Sequence, residues 1–263
     1  MTSKSKTHTD FGPRDIGAAR RPRIYGRAEE LEQLRQRVAE RRSFLLHGPA
    51  GVGKTLLLSS VLPEFPDILY SAQNPTPQAL YRSLAELLLA TGHPGLAKCC
   101  PNGLLSLRAK SAVSVKGLLR DALLNSKYLV VLDHLIRPSQ SLAASIRELM
   151  LNWSVRTIAV SRSAHMEDVG FVLPLFADRS EKLALRNFDP ENAKCFAAEG
   201  AAAAGLTADN LEPFLERIVE YSDGNPGAIL HMIRLAKAPK YFHENQIKIT
   251  PLYIDYKIAM VSQ

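Results

Sequence analysis

Residues 43–55 read SFLLHGPAGVGKT, and residues 56–61 continue as LLLSSV. A short, mostly apolar run leads into a glycine-rich turn, and a Lys-Thr pair then opens a second apolar segment. The order from Gly48 through Gly53 and Lys54 to Thr55 is G-x-x-x-x-G-K-[ST], set between a strand and a helix as that pattern requires. Gly48, Gly51 and Gly53 permit positive φ and let backbone amides approach phosphate oxygens closely, with Pro49, Ala50 and Val52 filling the positions between. The opening turn of the next helix, which includes Leu56, adds unpaired N–H groups and a positive dipole end. Lys54 is expected to reach the β and γ phosphates, and the Thr55 hydroxyl to ligate Mg²⁺. The stretch implies a nucleoside triphosphate bound with Mg²⁺.

Such a loop needs a carboxylate on a neighbouring strand, because Mg²⁺ keeps several waters and takes few ligands directly from protein. Residues 127–132, KYLVVL, are β-branched-rich and unbroken, as a strand covered on both faces should be, and Asp133 follows at once. Asp133 is therefore the expected metal-site acid. Between the two lies another strand candidate, DILYSA at residues 67–72, an arrangement found in ATPases that use an additional catalytic acid. No N-K-x-D motif occurs, so ATP is expected rather than GTP.

Working outward, Leu31, Leu34 and Val38 recur at helical spacing before the loop. Thr76 and Pro77 start a helix carrying Leu80, Leu84, Leu87 and Leu88 that stops at Gly92, and residues 118–124 suggest another. Leu142, Ile146, Leu149 and Met150 mark a helix, residues 156–160 (RTIAV) a strand, and residues 182–185 a fifth strand. Alternating strands and helices imply right-handed crossovers, hence an α/β core with a parallel five-stranded sheet between helical layers. From Asp189 and Pro190 onward the pattern is helical, with amphipathic segments at 211–221 and 228–236 and a short closing strand expected at 246–249. The expected organisation is a basic, disordered leader at 1–22, a P-loop NTPase core at 23–187 and a small α-helical lid at 188–263.

These motifs in this order resemble the AAA+/STAND group of ATPases, in its archaeal-type and NB-ARC-like branches, over about residues 23–236. Tyr25, Gly26 and Arg27, within YGRAEE, resemble the group's opening motif, which lies near the adenine. Ser161 and Arg162, after RTIAV, resemble the polar sensor of the γ-phosphate. Gly224, Asn225 and Pro226 resemble the lid motif that folds over the base. The resemblance implies catalytic roles for Lys54, Asp133 and Arg162. It also exposes a departure: a second acid normally follows the metal-site Asp, and here the residue is His134. Histidine accepts a proton near neutral pH but lacks the carboxylate's charge and geometry, so slow or partner-dependent hydrolysis is expected. A buried core position and a partner contact remain alternative roles for His134. Arg156, Arg179 and Arg186 are candidates for an arginine finger, and the sequence does not rank them.

The bulk numbers fit this reading. An apolar content of 46% and a charged content of 22% over 263 residues describe a protein with a full core and no segment suited to crossing a membrane. The first residues lack the apolar run of a secretory signal, making the cytoplasm the expected compartment. Cys99, Cys100 and Cys195 match neither a disulfide framework nor a zinc spacing and are expected to be reduced and buried. Of the net charge of +7, residues 1–27 hold +5, from seven basic against two acidic groups. The expected function is an ATP-dependent conformational switch acting through a protein partner or self-assembly. A DNA-associated AAA+ protein of the replication-initiator or transposition-helper kind, and a non-hydrolysing nucleotide-binding scaffold, stay open as alternatives.

Overall fold

Strands rich in aliphatic residues on both faces must be covered on both faces. In the computed structural model, which describes residues 25–261, five such strands form one sheet. They are β1 (Phe44–His47), β2 (Ile68–Ser71), β3 (Leu129–Leu132), β4 (Arg156–Ser161) and β5 (Lys182–Ala184). The leader expected at 1–22 lies outside the described residues. The order across the sheet is β2-β3-β4-β1-β5. The pairs β2/β3, β3/β4 and β4/β1 are parallel, as helical crossovers demand. This corrects one expectation. Asp133 does not lie on a strand beside the P-loop strand, because β4 is hydrogen-bonded between β1 and β3.

The helices of this part are α1 (Ala28–Ala39), α2 (Lys54–Val61), α3 (Pro77–Ala90), α4 (Pro94–Cys99), α5 (Leu104–Arg108), α6 (Ala112–Leu123), α7 (Gln140–Arg147) and α8 (Met166–Val169). Thr76 starts α3 as anticipated: its hydroxyl accepts from the Ala79 amide at 3.2 Å, and Pro77 needs no donor partner in the first turn. α6 begins six residues earlier than its apolar run suggested, because the Ser111 hydroxyl caps it at Ser114 N, 3.2 Å away. Leu80, Leu84 and Leu88 of α3 and Leu119 and Leu123 of α6 are fully buried with Leu45, Leu69, Val130 and Ala159 from one sheet face. Each such leucine contributes about 1.5–3 kcal/mol. Alternation sends Phe44, Leu46, Tyr70, Val131, Ile158 and Val160 to the other face, where they too are buried.

The chain divides into two compact units. The first comprises Leu31–His47 and Thr55–Leu183. The second comprises residues 25–30, Gly48–Lys54 and residues 184–261.

The second unit is mostly helical: α9 (Pro190–Ala204), α10 (Leu211–Ser222), α11 (Pro226–Ala236) and α12 (Ile249–Val261). Asp189 caps α9 through Asn192 N at 2.9 Å. Ala193, Ala197 and Ala201 make the buried stripe of α9 small enough for α10 and α11 to pack closely on it. The closing strand is shorter than expected. Only Gln246–Ile247 (β7) pairs, antiparallel with Phe242–His243 (β6), and Ile249 already starts α12. The three cysteines are free, but only Cys100 is buried; Cys99 and Cys195 are exposed, contrary to expectation.

Candidate functional site

In the first unit, β3 ends at Leu132 and delivers Asp133, which is only 4% exposed. A buried ionised carboxylate requires donors, and three are present. The Thr55 hydroxyl donates to Oδ2 at 2.9 Å, the Tyr70 hydroxyl donates to the same oxygen, and the His134 amide donates to Oδ1 at 2.7 Å. His134 itself has a left-handed backbone, φ 55°. Burial pushes the Asp133 carboxyl upward, yet the hydrogen bonds from His134 and Tyr70 outweigh it, holding the group below the ordinary aspartate range. Burial first, and then the charge of Asp133, drive the Tyr70 phenol far upward, so Tyr70 stays protonated as the donor.

The contact between Thr55 and Asp133 juxtaposes a hydroxyl and a carboxylate, both hard oxygen ligands of the kind Mg²⁺ selects. The donor set therefore fits the expected metal. The His134 side chain is 56% exposed, with Nδ1 3.3 Å from Asp133 Oδ1. This removes the buried-core alternative for His134.

In the second unit, the phosphate loop takes the backbone that its glycines anticipated, with φ 158° at Gly48, 78° at Gly51 and 103° at Gly53. Gly51 is doubly constrained, since a Cβ there would also lie 2.7 Å from Asn225 Oδ1. Lys54 Nζ donates to the carbonyls of Gly48 at 2.6 Å and Pro49 at 2.9 Å, arching the side chain over its own loop. The Gly-Asn-Pro motif meets the loop directly. Asn225 Nδ2 donates to Ala50 O at 2.9 Å and to Asn187 Oδ1 at 3.0 Å, while its Oδ1 caps α11 at Ala228 N, 3.1 Å. Gly227 N donates to Gly51 O at 2.9 Å. Pro226 is buried in the first turn of α11.

Arg27 is 7% exposed. Its guanidinium donates to Arg186 O at 2.5 Å and Glu30 Oε1 at 2.8 Å and stacks 4.5 Å over the Phe188 ring. Tyr25 joins Phe188 and Phe196 in an aromatic cluster, with centroids 6.2 and 6.0 Å away, and Gly26 turns between Tyr25 and Arg27 at φ 56°. Back in the first unit, Ser161 ends β4 in register with His47 of β1 and is buried, while Arg162 is exposed. Leu56 is 42% exposed on α2, and Arg156, Arg179 and Arg186 are all exposed.

The first unit thus gathers Thr55 and Asp133, and the second gathers Tyr25, Gly26 and Arg27 with the loop and the lid motif. Sequence reasoning missed Tyr70, Asn187 and Gly227. Of these, Tyr70 carried a signal: a tyrosine inside an otherwise aliphatic strand needs an acceptor for its hydroxyl.

No family model matches the sequence, and no curated protein sequence matches it either. Solved structures do match. A Walker-type ATPase of Pyrococcus abyssi superposes with a TM-score of 0.60 at 17% identity, covering 91% of this chain and 74% of that one. The ORC1 protein of Aeropyrum pernix, solved in complex with DNA, gives 0.60 at 17% identity over 94% of this chain and 68% of that one. A signal transduction ATPase with numerous domains from Pyrococcus horikoshii, bearing a tetratricopeptide repeat sensor, gives 0.52 at 14% identity, with 93% and 34% covered. The fold of this chain, a five-stranded sheet flanked by helices and followed by a helical unit, is therefore the P-loop NTPase fold that these structures share.

Proposed function

We propose that this chain is an ATP-binding conformational switch, with Mg²⁺ as cofactor and slow or partner-dependent hydrolysis. The observation that carries the reading is the hydrogen bonding of Asn225 and Gly227 to the phosphate loop at Ala50 and Gly51. A loop that holds phosphate and also holds the lid motif converts nucleotide state into lid state. In this reading the core at 23–187 binds the phosphates through Gly48, Pro49, Ala50, Gly51, Val52, Gly53, Lys54, Thr55 and Leu56. Tyr25, Gly26, Arg27 and Pro226 serve the base, and Ser161 and Arg162 sense the γ-phosphate. Thr55 and Asp133 hold Mg²⁺, whose chemistry is to neutralise charge on the phosphate oxygens. The lid at 188–263 is the moving part, and the output is a protein partner or a second copy in the cytoplasm.

His134 stands where a water-orienting acid would serve; both its amide and its Nδ1 face Asp133 Oδ1, at 2.7 and 3.3 Å, and its imidazole lacks a carboxylate's charge. Slow turnover follows. Isothermal titration of ATP and GTP, with Mg²⁺ and with chelator, tests the binding claim, and Lys54→Ala must abolish ATP affinity. Phosphate release by wild type and His134→Glu tests the rate claim; fast wild-type turnover would refute it.

The net charge of +7 and the likeness to an ORC1 protein solved with DNA favour a second reading, a DNA-associated ATPase. It requires ATP-dependent DNA binding that weakens steeply with salt.

A further inference from the structure

Tyr70 is the third residue of β2, and its register partner on β3 is Val131. Register partners in a parallel pair point to the same face and alternate residues repeat it, so Tyr70, Val131 and Asp133 share one face of the sheet. The Asp133 amide donates to Ser71 O at 3.0 Å, which extends the β2/β3 ladder one residue and fixes the aspartate opposite the end of β2. From there the Tyr70 hydroxyl reaches Oδ2, the oxygen that also accepts from Thr55.

Tyr70 is buried, so a phenylalanine would fill the same space. The hydroxyl is the part that packing does not explain. Strand β2 lies at the edge of the sheet, three positions from the P-loop strand β1, so Tyr70 acts on nucleotide chemistry only through another group. That group is the carboxylate, whose Oδ1 is held by the His134 amide and whose Oδ2 is held by two hydroxyls. With Thr55 as a ligand of Mg²⁺, its hydroxyl would still donate to Oδ2, the oxygen that the Tyr70 hydroxyl also holds. We infer that Tyr70 is a positioning residue: it orients the Asp133 carboxylate toward Thr55 and so sets the affinity of the site for Mg²⁺ once nucleotide is bound. The inference rests on the ATP–Mg²⁺ reading above.

The experiment uses the full chain and reads metal directly. Wild type and Tyr70→Phe are loaded with ATP, titrated with Mg²⁺ and, separately, with Mn²⁺ followed by electron paramagnetic resonance, while ATP affinity is measured in chelator. Removing a second-layer partner of a metal site costs about ten- to a hundredfold in metal affinity, and a shift of that size is expected for both cations. ATP affinity in chelator stays at the wild-type value. Leu69→Ala, on the opposite face of the same strand, controls for packing and leaves the metal requirement unchanged. Equal or tighter metal binding by Tyr70→Phe overturns the inference. So does an equal shift in Leu69→Ala, and so does a Tyr70→Phe protein that cannot fold, since the hydroxyl is then structural. A wild type with no Mg²⁺ effect, or unaltered ATP affinity in Lys54→Ala, instead sinks the ATP–Mg²⁺ reading itself.

Discussion

Gly227→Ala sets two effects of opposite sign against each other in the first turn of α11. By intrinsic preference alanine is the better helix residue by about 1 kcal/mol in a helix interior and by less in a first turn. By geometry it is the worse one: a Cβ at position 227 would lie 2.7 Å from Gly51 Cα and 2.9 Å from Gly51 O. Carbon atoms pack at about 3.5–4.0 Å, so the turn must retreat by roughly 1 Å. That retreat stretches the bonds from Gly227 N to Gly51 O and from Asn225 Nδ2 to Ala50 O, both 2.9 Å, beyond hydrogen-bonding range. Two lost bonds at about 0.5–1.5 kcal/mol each outweigh the propensity gain. The expected net loss is roughly 1–2 kcal/mol, with the phosphate loop less well ordered for nucleotide. Urea unfolding followed by circular dichroism, paired with titration of ATP, measures both. A variant as stable as wild type, or more stable, would refute the close backbone approach on which the argument stands.

Asn225→Ala removes the α11 cap together with the bonds to Ala50 of the loop and to Asn187, and a loss of about 2 kcal/mol is expected in the same unfolding assay. Thr55→Val removes the hydroxyl that donates to Asp133, so the gain in ATP affinity on adding Mg²⁺ should largely vanish while affinity in chelator holds; calorimetry reads both. Burial, and then Arg234, hold the His231 imidazole below its ordinary value. A depressed folded pKa contributes stability that is present above the unfolded value of about 6.5 and lost as pH falls through the folded one. His231→Gln should accordingly flatten the decline in thermal midpoint between about pH 7 and 5, and an unaltered slope would refute the assignment.

Much of the core was legible because its constraints are local. The run from residue 43 to 61 carries strand, turn and helix in one reading, since each glycine answers a backbone need. Strands such as β3 announce themselves by unbroken aliphatic character, and Thr76 and Asp189 cap their helices as their positions suggest. Other features had no local signature. Helices α4 and α5 are too short to show a period. In α12, Leu252 and Tyr256 face inward while Ile254 lies exposed, so apolar residues on both sides erase the amphipathic pattern. Of the candidate site, motif and spacing single out Thr55 and Asp133, which the structure brings into contact at 2.9 Å. The link from Asn225 and Gly227 to the loop joins residues some 175 positions apart, which no periodicity reports. The sequence shows that Tyr70 needs an acceptor but not that Asp133 is the one, because that depends on strand register.

The place of β4 between β1 and β3 has a mechanical consequence. Two strand spacings put β3 roughly 10 Å from the strand that leads into the loop, yet Thr55, on the helix that follows β1, meets Asp133, which follows β3. The 2.9 Å contact is in effect a gauge mounted on the sheet. A change in the spacing or twist of β3, β4 and β1 would alter that contact, so the pairing of the hydroxyl with the carboxylate depends on the sheet as a whole.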